Sequence, residues 1–251
     1  MKIFIKKNQK EADKKAFEII KKQVLAKPNS LIGLAVGKTT DNIYKLICKD
    51  LKKNKEIWKK IRLFQIDENM GFPPKSKSSF NYEIRKELKP LLKIIDKKNI
   101  FLINGMENSK KIILKAYKFI KQNKGIDLII LGIGPEYDPH IAYNTKGQSS
   151  VNSRMRVVNL HPLIAKKIIE KSIGVSGYRG IGVKGITLGI KDILDSKKAL
   201  LIAYGKEKAK SIQIAFRKVD TKRTSASALL LHKDLIVVLD KDAGKLLADS
   251  V

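Results

Sequence analysis

The chain has 251 residues, 43% of them apolar, enough to bury a full core, and no apolar run approaches the roughly 18–20 residues that a membrane helix needs. Its 53 basic residues against 24 acidic ones give a formal charge of +29, yet only seven are arginine and the lysines are spread over nearly every segment. That distribution reads as solvated helix faces and argues against a specific nucleic-acid surface, which would cluster its charge and use more arginine.

A single cysteine, Cys48, excludes an internal disulfide and fits a reducing compartment, so a cytoplasmic protein is expected. The opening MKIFIKKNQKEADKK turns polar after five residues, and a signal peptide is not expected. Residues 1–5 read as a short strand. Residues 11–25 read as a helix, apolar at Ala12, Ala16, Ile19, Ile20 and Val24. After a Pro28-Asn29-Ser30 turn, residues 31–36 show the unalternating apolar pattern of a strand buried on both faces. Gly37-Lys38-Thr39-Thr40 follows, and helical spacing resumes over residues 41–51. Strand, glycine turn and helix in that order can cradle a phosphate, because a helix start offers free N–H groups and the positive end of its dipole; the plainer reading is a helix cap at a βα turn. A nucleotide P-loop is excluded: position 32 is Ile, and Gly33 lies one residue too close to the Gly-Lys pair.

Residues 61–66 form the next expected strand, ending in Asp67-Glu68-Asn69, and a loop runs from Gly71 to Ser79. Helix is expected over 80–92, a short strand over 100–103 and helix over 110–123. Leu128-Ile129-Ile130-Leu131 is the plainest buried strand. Glycine and proline at 132–135 break it, and the loop beyond delivers Asp138, His140 and Asn144, polar groups capable of proton transfer. Residues 151–160 alternate, with Arg154 and Arg156, and 163–172 read as helix. Residues 173–185 carry five glycines and look loop-like. Helix is then expected over 186–196, strand over 199–203, helix over 206–216 behind Gly205, a short helix over 225–231, and a last strand over 235–239 ending at Asp240. Cys48 reads as core, and His161 and His232 as structural.

Strand and helix alternate with no repeat and no linker, which predicts one α/β domain with a largely parallel sheet. Right-handed crossovers then put Gly37–Thr40, Asp67–Asn69 and Asp138–Asn144 on one edge of that sheet, where open α/β sheets bind ligands. No His/Cys/Asp spacing suggests a metal.

Seven segments in order carry a resemblance. They are IGLAVGKTTDNIYKLI from Ile32, FQIDENMGFP from Phe64, DPHIAYN from Asp138, SRMRVV from Ser153, GITLGIKDIL from Gly185, GKEKA from Gly205 and SASALLLH from Ser225. The chain resembles glucosamine-6-phosphate deaminases (isomerases), relatives of 6-phosphogluconolactonase, over nearly its whole length. The resemblance implies a three-layer α/β sandwich with a modified Rossmann sheet, residues 1–251 forming one sugar-phosphate isomerase-like domain. It implies cofactor-free and metal-free conversion of glucosamine 6-phosphate to fructose 6-phosphate and ammonia. Asp67 matches the enolisation base, His140 the residue that opens the sugar ring, and Asp138 its orienting carboxylate. Gly37, Lys38, Thr39 and Lys208 match phosphate-contacting positions. The partner implied is a small sugar phosphate, with no membrane and no specific nucleic acid; whether the chain forms a homo-oligomer is left open. The I-A-Y-N tail after His140 and the Ser153–Arg156 run favour the deaminase over the lactonase. A lactonase-like enzyme, or a phosphosugar-binding homologue without activity, is the alternative. Thr145 stands where the family carries glutamate, Pro139 replaces a glycine, and the loop before His140 is about two residues longer than usual.

Overall fold

The computed structural model describes residues 1–172 and 184–247. Among them the strands are β1 (Lys2–Lys6), β2 (Leu31–Leu34), β3 (Arg62–Gln65), β4 (Asp67–Asn69) and β5 (Ile100–Phe101). They continue with β6 (Leu128–Leu131), β7 (Arg156–Asn159), β8 (Lys184–Thr187), β9 (Ala199–Ala203) and β10 (Leu235–Asp240). Seven of these form one sheet in the order β1-β10-β9-β6-β2-β3-β5, and every neighbouring pair is parallel.

Alternation along each strand divides the core. On β6, Leu128 and Ile130 pack to one side with Ile32, Leu34 and Leu63; Ile129 and Leu131 pack to the other with Phe64 and Ile66. Helices α1 (Gln9–Ala26), α2 (Lys38–Trp58), α3 (Phe80–Glu87) and α4 (Lys89–Leu92) cover the first face. Helices α5 (Ser109–Gln122), α7 (Ile190–Leu194) and α8 (Lys206–Arg217), with the 3-10 turn Ser225–Leu231, cover the second. α6 (Pro162–Ser172) and α9 (Lys241–Gly244) complete the described helices, and none is long and apolar enough to cross a membrane. Starting from β2, the chain lays strands outward through β3 and β5, then returns to β6 beside β2 and continues outward through β9 and β10. This reversal is the Rossmann arrangement, and its switch point lies between β2 and β6.

Three expectations are corrected. The helix expected over 186–196 divides: β8 pairs antiparallel with β4 and β7, and only Ile190–Leu194 is helical. Apolar positions 186, 190, 193 and 194 also fit a helical spacing, and the strand is chosen by two ladders the local pattern does not reveal. Asp67–Asn69, read as the end of the strand over 61–66, is a separate strand of that second sheet, β4-β8-β7. The helix expected over 80–92 breaks at Leu88, because Pro90 lacks the N–H to continue the ladder. The glycine-rich loop reading at 173–185 falls outside the described residues except for Lys184 and Gly185, which belong to β8.

Candidate active site

The three clusters share one edge because β6, β2 and β3 are adjacent and parallel, so their C-terminal ends point the same way. β9 flanks β6 and ends at the same edge, bringing Gly205 and the start of α8 alongside.

Asp67 leaves β3 after one residue and starts β4, paired with Thr187. It is 5% exposed, and its Oδ1 is buried with no hydrogen-bond partner. Burial first, and the neighbouring Glu68 carboxylate second, push its carboxyl up to about 8. Glu68 has a different task. Fully buried, it accepts hydrogen bonds from Gln65 Nε2, the Asn69 backbone, Ser79 Oγ and the backbone N–H groups of Phe80 and Asn81, at 2.7–3.0 Å. Five donors and no donation is the pattern of an ionised carboxylate. Burial raises its proton affinity and these donors oppose that rise. Glu68 therefore anchors the start of α3 while keeping a negative charge beside Asp67.

In the loop after β6, His140 Nδ1 lies 3.1 Å from Asp138 Oδ2. A carboxylate there accepts the Nδ1 proton, which leaves Nε2 as the ring nitrogen free to take up or release one. Burial pulls the Asp138 carboxyl upward, but the bond to His140 and the Lys146 backbone N–H outweigh it, and its proton affinity falls below the ordinary value. Gly134 makes the geometry feasible: a Cβ there would stand 2.6 Å from His140 Nδ1 and 2.3 Å from the Asp138 carbonyl. The loop is fastened to Asp67's sheet, since the Tyr143 N–H donates to Thr187 Oγ1 at 3.0 Å and its hydroxyl to Asn69 Oδ1 at 2.8 Å. Asn144, fully buried, donates to the Ile141 and Leu188 carbonyls and accepts from Arg156 at 3.0 Å. Thr145 is also buried, its hydroxyl accepting from Gln148.

Gly37 caps α2 with φ +143°, a conformation side chains rarely adopt, and no side chain caps the helix; the Thr40 N–H turns back to the Gly37 carbonyl at 2.9 Å, and the Lys38 and Thr39 N–H groups are left without an intrahelical partner. Lys38 is exposed there and Thr39 half-buried. Lys208, in the first turn of α8, donates to the Ile133 carbonyl at 2.7 Å, joining α8 to the His140 loop. Burial lowers its proton affinity, with Glu207 opposing, and no carboxylate pairs with it among the described residues. Asp138 and His140 thus touch, Lys208 reaches their loop, and Asp67 is tied to it through Thr187; Gly37–Thr39 stand at the end of the adjacent strand β2. Glu68, Thr187 and Tyr143 escaped the sequence reading. Only the Asp-Glu doublet hinted at Glu68, whose donors lie up to 13 residues away.

Fold and residues together define a Rossmann-like α/β protein with a cluster of polar side chains at its switch point. The family model of glucosamine-6-phosphate isomerases/6-phosphogluconolactonase matches residues 6–237, and the chain belongs to this family. It is 36% identical over 245 residues to the glucosamine-6-phosphate deaminase of Clostridium botulinum (strain Langeland), covering 97% of this chain and 98% of that protein. It is 33% identical over 250 residues to that of Thermoanaerobacter sp. (strain X514), covering 99% and 96%. A monomeric glucosamine-6-phosphate deaminase superposes with a TM-score of 0.86 at 24% identity, over 98% of this chain and all of that one. The 6-phosphogluconolactonase from Trypanosoma cruzi shares the fold with a TM-score of 0.76 at 19% identity, over 98% and 96%.

Proposed function

We propose that the chain is a glucosamine-6-phosphate deaminase of the cytoplasm, working as a single domain on one sugar phosphate. In this reading the N–H groups after Gly37, together with Lys208, hold the phosphate. His140, held by Asp138, moves the proton that opens the pyranose. Asp67 takes the C2 proton and returns it at C1. Water then adds to the C2 imine and ammonia leaves, giving fructose 6-phosphate. A base for this step needs a proton affinity near the working pH, which the dry pocket around Asp67 supplies.

The observation that favours the deaminase over the lactonase is the 3.0 Å contact between Asn144 and Arg156. These residues come from the two motifs that distinguish the branches, and here the partly buried Arg156 joins the buried Asn144 beside the His140 loop. The test is a substrate panel: ammonia release from glucosamine 6-phosphate beside hydrolysis of 6-phosphogluconolactone. The deaminase reading expects the first reaction and not the second.

A further inference from the structure

Six arginines lie among the described residues. Arg62 donates to the Asn29 carbonyl, Arg85 to Asn81, Arg154 to Asp192 and Asp195, and Arg156 to Asn144. The guanidinium groups of the other two, Arg217 and Arg223, have no acceptor among the described residues, and both line one groove. A lobe of about 590 Å³ is bounded by Arg217, Arg223, Lys210 and Lys218. A second lobe of about 450 Å³ shares Lys210 and Arg223 and extends along Lys146, Tyr137 and Pro139. Five cations thus face two carboxylates, Asp220 and Glu136. None of Gly37, Lys38, Thr39, Asp67, His140 and Lys208 borders either lobe.

Guanidinium groups are suited to bidentate contact with phosphate, and leaving two of them unpaired in a chain so dominated by lysine marks this groove out. Its wall is also stitched to the His140 loop. The Pro139 carbonyl accepts from Thr224 Oγ1 and from the Ala226 N–H, and Ser225 Oγ accepts from the Ile141 N–H. On the other side of the loop, the Lys146 N–H holds Asp138 Oδ1 at 3.0 Å. The wall includes Glu136, Tyr137 and Pro139, from the loop between β6 and His140.

We propose that this groove is a second anion site, separate from the substrate site, which takes a phosphorylated small molecule and through Pro139 and Lys146 acts on the loop that carries Asp138 and His140. Lobes of about 590 and 450 Å³ are the size of small-molecule sites, which suits a compact phosphate better than a polymer.

The test is calorimetric titration with inorganic pyrophosphate in about 0.15 M salt, so that the groove is judged by heat and independently of whether the deaminase reading holds. The side chains of Arg217 and Arg223 are exposed, and Arg217→Ala/Arg223→Ala is expected to fold normally. The double variant should lose affinity at least about tenfold, as removal of charge-assisted pairs implies, while Lys208→Ala keeps the groove's binding. Pyrophosphate should also change kcat for ammonia release by wild type and leave that of the double variant unchanged. Equal binding by wild type and double variant would overturn the site, and binding without any change in kcat would overturn its action on the loop. A short RNA that binds more tightly than pyrophosphate at this salt, and only to wild type, would replace the small anion with a nucleic acid.

Discussion

Asp67 combines near-complete burial, an unpartnered oxygen and a charged neighbour, and each raises the cost of ionising it. A general base works deprotonated, so turnover should climb as pH rises toward about 8, with the ionised Glu68 beside Asp67 helping to hold the Asp67 proton up to that pH. The same shift governs stability. Between the ordinary carboxyl value of 3.8 and about 8 the folded state holds a proton that the unfolded chain has lost. Its contribution is fully present below the ordinary value and disappears as pH rises through the folded one. Asp67→Asn keeps the shape without the charge, so its gain in Tm over wild type should be larger at pH 8.5 than at pH 4, measured by thermal melts at both. A larger gain at pH 4 would contradict this account. Asp67, Asp138 and His140 were legible as polar groups that follow apolar runs, whereas Lys208 was marked only by the family resemblance. Thr187 was hidden in a segment that reads as helix, and its contact with Tyr143 spans 44 positions.

At the scale of elements, Glu68 joins β4 to the start of α3, and Lys208 joins α8 to the His140 loop. Glu68→Gln offers an amide nitrogen where donors now converge, and should lower stability by about 2 kcal/mol in urea unfolding, in the range for hydrogen bonds to a buried charged group. An unchanged midpoint would mean that the five bonds do not anchor α3. Lys208→Ala should weaken glucosamine 6-phosphate binding about tenfold or more in calorimetry while the fold persists, since it removes a cation without a carboxylate partner. Equal affinity would exclude Lys208 from the phosphate site. Strands buried on both faces, such as β2, β6 and β9, announced themselves by unbroken apolar runs. The second sheet did not, because β4 is three polar residues and owes its conformation to pairing with β8.

For the whole molecule, strand alternation was enough to predict a parallel sheet, and the handedness of its crossovers was enough to gather three clusters at one edge. The reversal between β2 and β6 that creates the switch point is not a local property and emerges only from the strand order. The charge of +29 is a global property too, and it sets a weak polyanion affinity. Binding to duplex DNA should be largely lost by about 0.2 M salt, as counterion release demands; sequence-selective binding that survived in a filter or anisotropy assay would contradict this. The central claim is that the edge between β6 and β3 carries out deamination with Asp67 as the base. The most direct test is ammonia release at saturating glucosamine 6-phosphate and pH 8, wild type beside Asp67→Asn. The account predicts turnover by wild type and a loss of at least about 10²-fold in the variant, with sugar-phosphate binding retained. Full activity in Asp67→Asn would contradict it.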